Sequence, residues 1–310
     1  MSPTAESQSA NAVLMVRPTA FTSNPETLAS NAFQSAAAAT DEIASRARVE
    51  FDSVVNALTA AGVDVHAFDG RSERDCPDEV FPNNWVSFHA DGTVVLYPML
   101  APSRRRERRT ELIESLERDH GYTITRTIDL TAHEDREQFL EGTGSLVLDH
   151  IHRVAYACRS PRTHERVLHD FAERLEFTPV AFEALDEAHM PVYHTNIVMA
   201  LGTRFAVVCP EAIPDPNDRG AVTRQLEISG RESVEIEIEQ MHDFAANLLE
   251  LDGSHGPVIA LSACALATLE DSQIRRLERH GTLVSVAIPT IETFGGGSLR
   301  CMLAEVFLPR

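Results

Sequence analysis

Four short segments of this chain carry side chains able to do chemistry, and they recur at a nearly constant interval. They are Phe81-Pro-Asn-Asn84-Trp, Glu141-Gly-Thr-Gly-Ser, Tyr193-His194-Thr-Asn196 and Gly295-Gly-Gly-Ser-Leu-Arg-Cys301. Asn84 to Glu141 is 57 residues, Glu141 to His194 is 53, and His194 to Cys301 is 107, about two such steps. Each segment lies just before an apolar run that reads as a strand. In a radially repeated fold, equivalent positions converge on the axis. The spacing therefore gathers an amide, a carboxylate, an imidazole and a thiol. That set suits nucleophilic catalysis: a thiolate attacks, an imidazole carries the proton and a carboxylate orients. Each member alone has a structural alternative. A cysteine usually behaves as a small buried hydrophobe, a lone histidine is most often structural, and Glu141 could cap a turn. Cys301 is set apart by the three glycines before it, which let backbone and ligand approach closely.

The elements that must position these residues are those of an α/β chain, with short apolar runs alternating with longer amphipathic stretches. Strands are predicted at Val13–Val16, Val63–Phe68, Trp85–Phe88, Thr93–Tyr97 and onward to Met302–Leu308. Helices are predicted over 30–61, 104–120, 162–175, 233–251 and 270–280. This makes about five strand-strand-helix-strand units, and a repeat of that length points to a radial or solenoid architecture. The Pro-Asp-Pro-Asn stretch at Pro214–Asn217 reads as a loop. Residues 1–11 are expected to form a disordered tail, and residues 12–310 a single catalytic domain.

Composition bounds the partners. At 310 residues, with 43% hydrophobic and 24% charged residues, the chain can bury a substantial core. A net charge of −20 argues against nucleic acid or an anionic membrane surface as partner. All 27 basic residues are arginine, which excludes lysine Schiff-base chemistry and a P-loop lysine. The cysteines Cys76, Cys158, Cys209, Cys264 and Cys301 form no C-x-x-C pair. Neither a disulfide framework nor a zinc site is suggested. With no signal-peptide pattern and no membrane-length apolar run, a reducing cytoplasm is the expected location. Arg104-Arg-Arg-Glu-Arg-Arg109 reads as the solvated face of a helix. His150-x-His152 lacks the partner cluster a metal pair would need.

The motifs resemble those of the pentein, or guanidino-group-modifying, superfamily, with the citrulline utilization hydrolases, often labelled amidinotransferase-like, as nearest likeness. The resemblance spans nearly the whole chain. It is carried by Met15-Val-Arg-Pro18, Phe21-x-x-Asn24-Pro-x-Thr27, Ser30-Asn-x-Phe-Gln34, the Asn-Asn-Trp motif, Leu140-Glu-Gly-Thr-Gly-Ser145, His194-Thr-Asn196 and Gly297-Ser-x-Arg-Cys-Met302. It implies a five-bladed α/β propeller, with Cys301 as nucleophile, His194 as general acid/base and Glu141 as the acid holding substrate nitrogens. Arg162, in Ser160-Pro-Arg162-Thr163, would pair with a substrate carboxylate; its alternative is a surface residue at a helix start. Arg17 and Asn24 are expected to touch the pocket. The resemblance implies no metal and no organic cofactor.

Two departures bear on the substrate. Many members of the superfamily hold a guanidinium with two aspartates, where this chain has Asn84 and Asn196. An amide offers both donor and acceptor, which suits a neutral ureido group. The expectation is hydrolysis of citrulline to ornithine, ammonia and carbon dioxide, with arginine deiminase or dihydrolase chemistry as the alternative. Whether Asn83 or Asn84 faces the pocket is a question of register. An amidinotransferase would need the same residues. A non-catalytic binding module on the same propeller is disfavoured by the full Glu141, His194 and Cys301 set. The expected partner is a small ureido or guanidino compound, with a homo-oligomer left open.

Overall fold

The computed structural model describes residues 7–37, 39–71 and 76–310. It contains five three-stranded sheets with helices between their strands. The first unit has β1 (Ala12–Arg17), α1 (Asp41–Ala60) and β2 (Asp64–Asp69). The second has β3 (Val86–Phe88), β4 (Thr93–Leu96), α2 (Pro102–Arg105), α3 (Thr110–His120) and β5 (Arg126–Asp129). The third has α4 (Gly142–Ser145), β6 (Val147–Asp149), β7 (Val154–Arg159), α5 (Glu165–Leu175) and β8 (Thr178–Glu183). The fourth has α6 (Thr195–Val198), β9 (Met199–Leu201), β10 (Phe205–Val208), α7 (Pro216–Ile228) and β11 (Glu232–Glu235). The fifth has α8 (Ile238–His242), β12 (Leu249–Gly253), β13 (Gly256–Ser262), α9 (Ala263–Thr268), α10 (Asp271–Glu278) and β14 (Thr282–Val286). The chain ends through α11 (Pro289–Gly295), a 3-10 turn at Leu299–Met302 and β15 (Ala304–Glu305).

One pairing rule runs through all five sheets. The middle strand lies antiparallel to the first and parallel to the last, as in β3–β4–β5 and β6–β7–β8. Parallel neighbours need a crossover, which the intervening helices supply. The first sheet obeys the rule only by borrowing: β1 is its middle strand, β2 its last, and its first strand is β15 from the far end of the chain. Neighbouring sheets touch through β3 with β15, β6 with β9 and β9 with β12, while α1 packs on β14.

The sequence accounts for these elements locally. In α1, Ala44, Ala47, Phe51, Val54 and Leu58 follow helical spacing and are the buried residues. Thr40 caps the helix by accepting from the Ile43 N–H, and Asp41 and Glu42 lie in its first turn, where negative charge is favoured. This face packs with Val13 and Met15 of β1 in one core cluster. Full burial contributes about 1.5–3 kcal/mol for each large side chain.

Four sequence expectations are corrected. The first helix begins at Asp41, not near residue 30, and residues 31–37 form no regular helix, with Asn31 reaching the pocket. Asp215 caps a helix with Pro216 at its first position, so Pro214–Asn217 opens α7 and is not a plain loop. The stretch 233–251, expected as one helix, is strand, short helix and strand. The tail also fails where it can be seen. Residues 1–6 lie outside the described residues, but Gln8, Ser9 and Ala10 are buried. Gln8 donates to the Leu148 carbonyl at 2.9 Å and accepts from the His150 N–H at 3.0 Å, and Ser9 donates to Glu250 at 2.6 Å. Among the described residues, no helix is long and apolar enough to cross a membrane.

Candidate active site

The sequence spacing has a structural counterpart: the motif residues all sit in the turn or short helix that leads into the first strand of a unit. Asn84 precedes β3, Glu141 precedes β6, His194 precedes β9 and Cys301 precedes β15. A narrow cleft is lined by Asn84, His194, Cys301, Arg104, Arg162, Asp78, Tyr193, Thr27, Asn31, Phe81 and the three glycines Gly295–Gly297. Glycine is required at two points around it. A side chain on Gly144 would lie 2.4 Å from Asn84 Nδ2 and 2.6 Å from His194 Nδ1. Gly296 has φ +63°, and its carbonyl accepts from Asn31 Nδ2 at 3.0 Å and from the Tyr193 hydroxyl.

His194 and Glu141 form a buried pair, with Nε2 2.9 Å from Oε2. A carboxylate can only accept, so Nε2 carries the proton and Nδ1 is left as the basic nitrogen of the neutral ring. Glu141 is enclosed behind the histidine and does not line the cleft. Its other oxygen accepts from the Leu100 N–H at 3.1 Å, while Arg162 and Arg104 stand 3.5 and 3.8 Å from Oε2, the oxygen that meets His194. Burial pushes the Glu141 carboxyl up, but Arg162, His194 and Arg104 outweigh it and hold it at about 2. Burial lowers His194 to about 4 despite the nearby carboxylate.

The His194 shift has a stability consequence. Between its ordinary value of 6.5 and about 4, the unfolded chain takes up a proton that the folded chain refuses, so stability falls as pH drops through that window. His194→Gln is therefore expected to flatten the acid side of the stability curve. Urea midpoints measured near neutrality and again in mild acid check this, and an unchanged slope contradicts it.

Cys301 is buried in the 3-10 turn, its N–H held by the Ser298 carbonyl at 3.0 Å. Its sulfur receives Asn196 Nδ2 at 3.4 Å and Asn247 Nδ2 at 3.3 Å. Asn196 thus contacts the thiol and is absent from the cleft lining, contrary to the expectation of a substrate contact. In the second-unit motif it is Asn84 that faces the cleft, whereas Asn83 turns toward Thr143 Oγ1 at 3.3 Å.

Arg162 is buried and lines the cleft, which removes its surface alternative. It donates to Ser30 Oγ at 2.9 Å and lies over the Tyr193 ring at 4.8 Å, with Nε unpartnered among the described residues. Asn24 is buried one layer back, donating to Asp78 at 2.8 Å and to Ser103 at 3.0 Å. Arg17 is a correction. It forms a two-point ion pair with Asp52 at 2.7 and 2.8 Å, half-exposed against α1 and away from the cleft.

Three residues escaped the sequence reading. Arg104, read as part of a solvated face, is 2% exposed because α2 ends after Arg105 and α3 starts separately at Thr110. Arg104 donates to Asn84 Oδ1 at 2.7 Å, to the Phe81 carbonyl at 3.2 Å and to Glu107 at 3.0 Å. Asp78 is buried in the same wall, and burial raises its carboxyl against the pull of Arg104. Asn247 lies 53 residues after His194 and 54 before Cys301, filling the step left empty in the 107-residue interval. That gap was its signal. Among the described residues, no group of three or more His, Cys, Asp or Glu is placed to hold a metal ion.

Five sheets of this pattern, with a thiol, an imidazole, a carboxylate and an amide at equivalent positions, place the chain in the pentein superfamily. A model of the N,N dimethylarginine dimethylhydrolase family in its eukaryotic form matches residues 17–308, and the chain belongs to that family. Comparison with curated proteins by sequence finds no match. Solved structures of similar fold include ArgZ, an arginine dihydrolase from the ornithine-ammonia cycle in cyanobacteria. Its apo form has a TM-score of 0.75 at 16% identity, covering 96% of this chain and 41% of that one. The N-terminal domain of ArgZ, covalently bound to a reaction intermediate, gives 0.73 at 17%, covering 96% of this chain and 99% of that one. DDAH from Pseudomonas aeruginosa, complexed with citrulline, gives 0.65 at 17%, covering 95% and 98%. The chain thus spans about two fifths of full-length ArgZ. At such identities the likeness establishes the fold.

Proposed function

We propose that this chain is a cysteine-dependent hydrolase of a ureido or guanidino amino acid, with citrulline as the preferred substrate. In this reading the five sheets are blades of a propeller whose axis carries the cleft. Cys301 passes its proton to Nδ1 of His194 and attacks the planar carbon. His194 returns the proton to the departing nitrogen, then takes one from the water that releases the carbon from sulfur. Water frees a carbamic acid from the sulfur, and this breaks its remaining carbon–nitrogen bond spontaneously, so that citrulline and one water would yield ornithine, ammonia and carbon dioxide. Glu141 holds the imidazole tautomer, and Arg162 is the candidate partner of the α-carboxylate.

The observation carrying the choice of citrulline is the orientation of Asn84. Its Oδ1 is occupied by Arg104, leaving Nδ2 with no hydrogen-bond partner among the described residues. An unpaired buried donor calls for an acceptor. A ureido oxygen is one; a guanidinium, which only donates, is not. A second reading is favoured by Asp78, whose Oδ1 is also unpartnered in the cleft wall. It would suit a cationic guanidino group, as in arginine or a methylated arginine, or equally the α-ammonium of citrulline.

A panel of citrulline, arginine, agmatine and N-methylated arginines, with ammonia and amino-acid products measured, tests the reading. Turnover of arginine without citrulline would overturn the substrate assignment. Asn84→Asp replaces the unpaired donor with an acceptor, and it is expected to move preference toward guanidino substrates by about tenfold or more. An unchanged preference ratio would count against the role given to Asn84.

A further inference from the structure

Asn247 is fully buried, in the turn joining α8 to β12, and the residue three before it, Phe244, holds φ at +64°. A phenylalanine in the left-handed region is strained and persists only where its surroundings impose it. The turn closes through the Asn247 N–H to the Phe244 carbonyl at 2.8 Å. It delivers the Asn247 side chain to two atoms, the main-chain oxygen of Asn196 at 3.0 Å and the Cys301 sulfur at 3.3 Å. The first contact fixes which end of the amide is which. A carbonyl can only accept, so Nδ2 must face it, and the second hydrogen of Nδ2 is free for the sulfur. Asn196 brings its own Nδ2 to the same sulfur from the neighbouring unit at 3.4 Å.

We propose that Asn247 and Asn196 form a two-donor cradle that stabilises the Cys301 sulfur as a reactive thiolate once its proton has passed to Nδ1 of His194. The proposal rests on the reading of Cys301 as nucleophile. A thiolate is an acceptor with no proton to give, and two N–H groups aimed at it match that state. A thiol would instead need an acceptor, and the nearest from these amides is Asn247 Oδ1, farther off at 3.7 Å. Carboxylates at these two positions would oppose negative charge on sulfur and leave the thiolate dependent on a cationic substrate. Amide donors remove that dependence, as an enzyme acting on a neutral ureido group requires.

Alkylation of Cys301 by iodoacetamide, followed by mass spectrometry of its peptide across a range of pH, reads the cradle without any substrate. A Cys264→Ser background removes the exposed thiol that would compete. Asn247→Leu is expected to slow alkylation near neutrality about tenfold, the order of one hydrogen bond to a charged acceptor, and to move the profile to higher pH. Asn247→Asp keeps the shape and adds a charge, and is expected to move the profile further. It also carries the test if the leucine variant does not fold. Profiles of both variants that overlay the parent, or that fall uniformly at every pH, would overturn the cradle and leave Asn247 a packing residue. Turnover by Cys301→Ala would remove the nucleophile assignment separately, because the alkylation comparison does not depend on substrate.

Discussion

Cys301→Ala is expected to lower kcat about 10⁴-fold or more, while its urea midpoint stays close to that of the parent. The first half follows from the chemistry. In the proposed mechanism His194 can still move protons and the cleft can still orient a substrate, but without sulfur no covalent intermediate forms, and what remains is the far slower attack of water. The second half follows from packing. Cys301 packs with Phe81, Leu299 and Met302 in one apolar cluster, and deleting a single buried sulfur removes about 1 kcal/mol of contact. Ammonia and amino-acid release give the rate, and circular dichroism in urea gives the stability. A folded variant keeping more than about a hundredth of parental turnover would dismiss the thiol from the reaction.

Arg104→Met is expected to cost about 3–5 kcal/mol of unfolding free energy, the range seen when one member of a buried ion pair is removed. Arg104 stands between three carboxylates: Glu107 at 3.0 Å, Asp78 at 3.8 Å and Glu141 at 3.8 Å. Burial works against the charge on Arg104, but those three neighbours raise its affinity for its proton. Glu107 is itself pushed up by burial against the pull of Arg104, so the loss of the guanidinium strands a buried carboxyl without the cation that offsets its burial. Arg104→Met with Glu107→Leu is expected to recover much of the loss, since an apolar pair of similar volume avoids desolvating either charge. Denaturant midpoints of the two variants decide it. A single variant as stable as the parent would mean that the ionic wall contributes nothing. The same substitution frees Asn84 Oδ1 to turn into the cleft, so citrulline turnover should fall in the variant beyond its loss of stability.

The unit structure and four members of the site were legible because both depend on the order of residues along the chain. The period survives in the spacing of Asn84, Glu141, His194 and Cys301, and the glycines at 144 and 296 mark where backbones must come close. What was hidden depends on three-dimensional exposure. Nothing in an arginine-rich run distinguishes Arg104, almost fully enclosed, from its neighbours, because the break between α2 and α3 is set by tertiary contacts. Arg17 was misplaced for a related reason. Its motif is right, but its side chain leaves β1 on the side of α1 and finds Asp52. Asp78 lies six residues before Asn84, outside the motif, and joins the cleft wall only because the chain turns there. Asn247 could have been found by asking what stood at the vacant step.

The first sheet is completed by β15, which carries a consequence for how the protein is made. A chain emerging from the ribosome can form its second, third, fourth and fifth units in turn, each from residues already synthesised. β1 must wait, its antiparallel partner arriving only with Ala304 and Glu305. That same closing segment carries Cys301 into the cleft. Loop closure across nearly the whole chain is slow, so assembly of the first sheet should be the late step in folding. The thiol then joins the cleft that His194 lines only when β15 pairs with β1, and a stalled or truncated nascent chain carries no assembled candidate site.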